Sequence, residues 1–156
     1  MFLLDSEEAL LRAFRPRDRK TLELPRGLQY PLFVRDYLAW PHPAGGVTYL
    51  VFAVPNGAPT GITFDTNGDG VSTVPQMCDW CHSSGMGNRV GLLTATRNSK
   101  KRVGVHVCTD LGCKQRLEED ADRSGRSVVP AMEKLIQRMG RFASEALQID
   151  LSAQGR

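Results

Sequence analysis

Hydrophobic and polar positions in this chain change period twice. Residues Asp5 to Phe14 carry Leu10, Leu11 and Phe14 at helical spacing. Asp5 or Ser6 can cap the first turn, and Glu7 and Glu8 sit where a helix dipole favours acid. The pattern predicts a short amphipathic helix stopped by Pro16, followed by a basic, solvated stretch from Arg15 to Lys20. From Leu32 the pattern turns to β. Leu32-Phe33-Val34 and Tyr37-Leu38-Ala39-Trp40 form an apolar, aromatic block closed by Pro41-His42-Pro43. Val47 to Val54, rich in β-branched and aromatic residues, is the strongest strand, and Pro55-Asn56-Gly57 ends it with turn chemistry. Gly61-Ile62-Thr63-Phe64 is a shorter strand able to pair with it antiparallel. Arg89 to Thr96 and Lys101 to Val107 read as two further strands, joined by the polar turn Arg97-Asn98-Ser99-Lys100.

Helical spacing then returns. Lys114 to Asp122 is polar and helical, with Asp110 placed to cap its first turn. Ser124-Gly125-Arg126-Ser127 is a break, and Pro130 stands at a first helical position. Met132, Leu135, Ile136, Met139, Phe142, Ala143, Ala146 and Leu147 form an apolar stripe, with Lys134, Arg138 and Arg141 on the outer face. The expected fold class is α+β: a short N-terminal helix, an antiparallel sheet and a long C-terminal amphipathic helix spanning about 130–148, in one domain over 1–156.

Composition adds bounds. With 156 residues, 41% hydrophobic and 24% charged, the chain has the size of one ordinary domain and can bury a core of its own. A formal charge of +3 is compatible with an acidic or nucleic-acid partner without demanding one. Met1-Phe2-Leu3-Leu4 is followed at once by Asp5, Glu7 and Glu8, unlike a secretory leader, and no apolar run reaches membrane-spanning length. A cytoplasmic address and no membrane partner are expected, and in a reducing compartment paired cysteines are metal ligands or redox centres more often than disulfides.

The four cysteines come as two pairs, Cys78-Asp79-Trp80-Cys81 and Cys108-Thr109-Asp110-Leu111-Gly112-Cys113, with 26 residues between them. A Cys-x2-Cys turn lets two thiolates converge on one ion at about 2.3 Å, and a second short-spaced pair completes a tetrahedron. The order is knuckle, β-hairpin, then a pair entering a helix: the layout of a treble-clef zinc finger, with its core at about 75–122. Gly85 and Gly87 would let the chain turn back after Cys81. Amides at the start of the following helix would donate to the sulfurs, and Lys100, Lys101, Arg102 and Lys114 would offset their charge. Unrelated buried cysteines, a thioredoxin-like pair and iron–sulfur ligation are the competing readings. The spacing favours structural zinc, one ion per chain, because four thiolates leave no open position for water. His82 and His106 flank the ligands, and either could replace a cysteine in the shell.

Asp65-Thr66-Asn67-Gly68-Asp69-Gly70 begins like a calcium-binding loop, but its twelfth position is Gln76 where a bidentate Glu is required, so a polar turn is the better reading. His42, between two prolines, reads as a loop residue, and Phe33, Tyr37 and Trp40 read as core before stacking platform. No phosphate-cradling loop and no nucleophile–base pairing points to an enzyme. The cluster Arg97, Lys100, Lys101 and Arg102 is a solvated hairpin tip or a surface for an acidic partner.

Three stretches carry a resemblance: Tyr37 to Pro43, Met77 to Cys81, and Val103 to Cys113. They are similar to the aromatic, knuckle and strand-to-helix segments of the C-terminal treble-clef domain of elongation factor G-binding proteins, the FusB-type family associated with fusidic acid resistance. The resemblance spans about Phe14 to Leu147. It implies a zinc-stabilised domain that docks on elongation factor G and helps it leave the ribosome, with Cys78, Cys81, Cys108 and Cys113 as the ligands. The resistance proteins carry an N-terminal helical bundle ahead of this domain, and here only the Asp5–Phe14 helix precedes it. The rival functional reading is an RNA-binding zinc module using the same basic hairpin on phosphates.

Overall fold

Residues 1–66, 75–85 and 89–152 are described in the computed structural model of the chain. The elements run β1 (Phe2–Leu4), α1 (Glu7–Ala13), α2 (Pro16–Arg19), β2 (Leu32–Val34), β3 (Tyr37–Pro41), β4 (Val47–Phe52) and β5 (Thr60–Asp65). There follow β6 (Gln76–Met77), β7 (Ser84–Gly85), β8 (Val90–Asn98), β9 (Lys101–Cys108), α3 (Cys113–Ser124), α4 (Val129–Arg141) and a π-helical turn, Phe142–Ala146. The fold class is the expected one: helices combined with an antiparallel, five-stranded sheet of order β3-β4-β5-β8-β9. The short pairs β1-β2 and β6-β7 stand apart from it.

The sheet is buried on both sides where β4 and β5 cross it, which explains why Val47 to Phe52 is nearly continuous hydrophobic sequence rather than alternating. Leu50 and Phe52 of β4, with Ile62 and Phe64 of β5, face one core with α4 and the cysteines. Tyr49 and Val51 face a second core built from Leu4, Leu10, Phe14, Val34 and Trp40. Phe14 lies edge-on to Trp40 and Tyr49, each at 6.0 Å between ring centres. It fits because Gly61 is beneath it: a Cβ there would lie 2.6 Å from its ring carbons. The Trp40 indole donates to the Glu23 carbonyl at 2.8 Å and the Tyr49 hydroxyl to the Thr21 carbonyl at 3.0 Å, fastening the segment before β2 to the sheet.

Helix α1 starts as its sequence predicts, with the Ser6 hydroxyl accepting from the Ala9 amide at 3.1 Å. The stretch after it departs from expectation. Arg15 to Lys20 is not simply solvated: Pro16–Arg19 forms a helical turn and Asp18 is buried within it. Arg15 donates to Asp18 at 3.2 Å and to the Thr96 and Arg97 carbonyls at 2.6 and 3.2 Å. Burial pushes the Asp18 carboxyl above its ordinary value, against the pull of Arg15. In the aromatic block Tyr37 and Trp40 are core, whereas Phe33 is 68% exposed.

Helix α4 opens with Pro130 in its first turn and buries Met132, Leu135, Ile136 and Met139. Its last turn widens to a π turn at Phe142–Ala146, closed by the Leu147 amide on the Phe142 carbonyl at 3.2 Å. Gly140 lets this helix approach the segment just after β4, since a Cβ there would meet the Val54 side chain at 2.6 Å. Residues 67–70 of the calcium-loop-like turn, and Gly87, lie outside the described residues. Among the described residues no helix is long and apolar enough to cross a membrane.

Candidate metal centre

The first cysteine pair sits on a knuckle between β6 and β7. Gln76 pairs with Gly85 and Met77 with Ser84, and the chain reverses over Cys78 to Ser83. The Cys78 amide donates to the Ser83 carbonyl at 2.8 Å and the His82 amide to the Cys78 carbonyl at 2.9 Å. The reversal uses His82 in the left-handed region, at φ 64°, rather than Gly85, which belongs to β7. The Asp79 amide donates to the His106 carbonyl at 2.8 Å, so the knuckle is hydrogen-bonded onto the edge of β9. Trp80, 2% exposed, packs against Phe64 and Phe142, and Arg138 of α4 donates to its carbonyl at 2.7 Å.

The second pair brackets the passage from β9 to α3. Cys108 ends the strand and Cys113 is the first residue of the helix. Between them the Leu111 amide donates to the Cys108 carbonyl at 2.9 Å, with Leu111 at φ 54°. Asp110 does not cap α3 by its side chain as the sequence suggests: the N-cap is Gly112, which makes no side-chain cap bond. Its carboxylate instead accepts from the Gly112 amide at 2.8 Å and from Arg116 at 3.1 Å. Burial alone would raise the Asp110 carboxyl, but these two donors outweigh it and hold it below its ordinary value. Space around Gly112 is tight: a Cβ there would fall 2.8 Å from the end of the Arg116 side chain and 2.9 Å from the Asp110 carboxylate, and those side-chain ends would have to move.

The two halves meet. The Sγ atoms of Cys78, Cys81, Cys108 and Cys113 all lie within 4.8 Å of one another, and all four residues are buried. Cys78 to Cys113 is 3.7 Å and Cys81 to Cys108 is 3.6 Å. A disulfide would require about 2.05 Å. A zinc ion about 2.3 Å from each sulfur of a regular tetrahedron would set the sulfurs about 3.8 Å apart, so the cluster fits such an ion with little adjustment. Contact with the Cys108, Cys78 and Cys81 sulfurs, and then burial, pushes the Cys113 thiol far up. The same contacts hold Cys108 up and pull Cys78 and Cys81 down, so deprotonating the whole cluster calls for a cation, and metal uptake releases the protons that Cys108 and Cys113 keep. The Trp80 and Cys81 amides each donate to Cys78 Sγ at 3.4 Å. The sulfur-directed amides thus come from the knuckle, whereas the Lys114 amide at the start of α3 donates to Tyr37 Oη at 2.9 Å.

His82 and His106 are exposed, and among the described residues the cluster consists of the four cysteines. The supporting residue that sequence reasoning missed is Tyr37. Its hydroxyl donates to the Leu111 carbonyl at 2.5 Å while accepting from Lys114, so strand β3 grips the ligand loop on both sides of Gly112. Nothing in an aromatic strand residue 71 positions before Cys108 signals this. Trp80 inside the Cys-x2-Cys turn was the one visible hint that the knuckle faces the core.

The FBP C-terminal treble-clef zinc-finger family matches residues 7–148. The chain belongs to this family. Its zinc-finger description and the four buried, converging cysteines agree on one structural zinc ion. The structure of the fusidic acid resistance protein FusC is similar at a TM-score of 0.46 and 19% identity, over 76% of this chain and 56% of that one. This chain thus spans little more than half of that protein's length. Comparison with curated proteins finds no match.

In this treble clef the basic hairpin residues separate into two kinds. Lys100 and Lys101 are exposed at the tip. Arg97 donates to the Ala146 carbonyl at 2.7 Å, and Arg102 pairs with Asp65 and donates to Thr94 at 2.7 Å. Arg97 and Arg102 therefore fasten the hairpin to the C-terminal turn and to β5.

Proposed function

We propose that this chain is a zinc-stabilised binding protein of the cytoplasm that docks on translation elongation factor G and promotes its release from the ribosome. The observation that carries the reading is the treble-clef family match over residues 7–148, joined to the resemblance of Tyr37–Pro43, Met77–Cys81 and Val103–Cys113 to elongation factor G-binding proteins. A closed shell of four cysteines supports binding over catalysis, because it leaves the metal no position for substrate or water. Zinc ligated by Cys78, Cys81, Cys108 and Cys113 fixes β9 and α3 in one orientation, and residues 1–156 act together as a single zinc-binding domain. Lys100 and Lys101 meet acidic groups of the factor, while Arg97 and Arg102 hold the hairpin that presents them.

The test is size-exclusion chromatography and calorimetry of the zinc-loaded chain with purified elongation factor G, free of RNA. A stable complex of the two proteins is expected. No complex, or recovery of ribosomal RNA alone from lysate, would sink the docking reading and leave the zinc centre untouched.

A further inference from the structure

A groove runs along the outer side of the knuckle. It consists of two adjoining hollows of about 460 and 480 Å³ that share Cys81, His82, Leu117 and Asp120 in their walls. One lies between the knuckle and α3, and the other continues to the start of α4. Six cationic side chains line the groove, Arg89, Arg116, Arg123, Arg126, Lys134 and Arg138, against two acids, Glu119 and Asp120. That surplus exceeds the +3 of the entire chain, so the basic character of this protein is concentrated here rather than spread.

A tetrathiolate zinc centre is formally dianionic, and nearby cations would offset it. That role suits Arg116 and Arg138, which are half-buried and held by Asp110 and the Trp80 carbonyl. It does not account for Arg126 and Lys134. Both are exposed, and neither side chain has a hydrogen bond or ion pair among the described residues. Between the cations the groove is lined by Leu117, Ala121, Pro130 and Ala131. An apolar strip edged by unpaired cations matches a segment that carries carboxylates beside apolar side chains. Phosphate strands ask for something else: protein sites for single-stranded nucleic acid add aromatic platforms for the bases. No Phe, Tyr or Trp lines this groove among the described residues, and Glu119 and Asp120 would repel a phosphate backbone.

We infer that the groove receives an acidic, amphipathic segment of a protein partner, whose carboxylates pair with Arg126 and Lys134 while its apolar side chains lie on Leu117, Ala121 and Ala131. Where that segment belongs to elongation factor G, the inference rests on the docking reading above, and adds to the hairpin a second contact surface.

The experiment compares wild type, the groove variant Arg126→Glu/Lys134→Glu and the hairpin variant Lys100→Glu/Lys101→Glu, all full-length and zinc-loaded, with unchanged melting as the folding control. Each is titrated with intact elongation factor G, with 20-residue peptides tiling that factor, and with poly-uridine RNA, at low and physiological salt. An acidic peptide should bind the wild type and lose at least about tenfold in affinity in the groove variant, more than in the hairpin variant, and should weaken with salt. If intact factor binds both forms equally, the groove inference fails and docking stands. If an acidic peptide binds through the groove while intact factor does not bind, docking fails and the groove stands. Absence of any groove-dependent peptide, or groove-dependent binding of poly-uridine in its place, overturns the inference.

Discussion

Tyr37→Phe tests whether the metal ligands are held by the sheet or only by each other. The substitution deletes one oxygen and keeps the ring, so packing in the core is unchanged. What is lost is a two-sided bridge: Oη donates to the Leu111 carbonyl at 2.5 Å and accepts from the Lys114 amide at 2.9 Å. Leu111 is 2% exposed, so water cannot easily replace the donor to its carbonyl. An orphaned buried polar group costs about 1–3 kcal/mol, and the half-exposed Lys114 amide adds about another 0.5–1 kcal/mol, giving about 1.5–4 kcal/mol in total. For a chain of this size that is a drop in Tm of about 3–16 °C. The bridge also supports the loop between Cys108 and Cys113, so zinc affinity should fall about tenfold or more, as when outer partners of metal ligands are removed. Burial first, then the neighbouring Cys113 sulfur, pushes the Tyr37 phenol far above its ordinary value, so it stays a neutral donor and the effect should not vary through the neutral pH range. Thermal unfolding of the zinc-loaded proteins, paired with chelator competition, reads both quantities. Unchanged melting together with unchanged zinc affinity would refute the argument and leave Tyr37 as an ordinary core aromatic.

Removing zinc with a chelator should raise amide exchange in the knuckle Cys78–His82 and in α3 while β4 and β5 stay protected; unchanged protection of α3 would count against its being held by the metal. Asp110→Asn should lower stability in a pH-dependent way. The Asp110 carboxyl is held below 3.8 in the fold, so its contribution is complete above 3.8 and disappears as pH falls through the lower folded value. Acid titration of both proteins should therefore converge at the lowest pH, and a constant gap down to that limit would contradict it. Gly61→Ala should cost about 1–3 kcal/mol, because the new Cβ would lie 2.6 Å from the Phe14 ring. Denaturant unfolding measures it, and a neutral result would mean that α1 is free to shift off the sheet.

The elements most legible in the sequence were those fixed by local periodicity or by ligand chemistry. The stripe Met132, Leu135, Ile136 and Met139 with Pro130 ahead of it gave α4, and two cysteine pairs around a hairpin gave the centre. Elements fixed by distant contacts were not legible. Arg15 looks like surface because its own neighbours are charged, yet its partners are backbone carbonyls of Thr96 and Arg97, eighty residues away. Arg97 and Arg102 look like a free basic tip for the same reason, and their acceptors lie on Ala146 and Asp65. The sequence points to Gly85 and Gly87 for the turn after Cys81; Gly85 instead belongs to β7, Gly87 lies outside the described residues, and the knuckle's hydrogen bonds hold His82 in the left-handed region. For the arginines the missing information was a tertiary hydrogen bond, and for His82 it was the knuckle's local hydrogen bonds; neither leaves a period in the sequence.

The position of the cysteines within the two cores bears on what zinc does for function. All four belong to the larger cluster, with Leu50, Phe64, Trp80, Leu135 and Met139, and none to the cluster under α1. Small zinc fingers lose their fold with the metal because they have no other core. Here β4 and β5 are buried on both faces by apolar side chains that need no metal, and neutral thiols pack as small hydrophobes. Beyond the packing of Trp80 and Leu117 on the core, the direction of α3 and the seating of the knuckle on β9 need further fixing. Those rest on sulfur geometry, on Tyr37, and on the Asp79 amide at the His106 carbonyl. The same two elements form the walls of the groove holding Arg116, Arg123 and His82. Zinc therefore governs the shape of the groove proposed to meet a partner more strongly than it governs whether the chain folds, and, if that proposal holds, loss of the metal should abolish binding under conditions where the sheet is still intact.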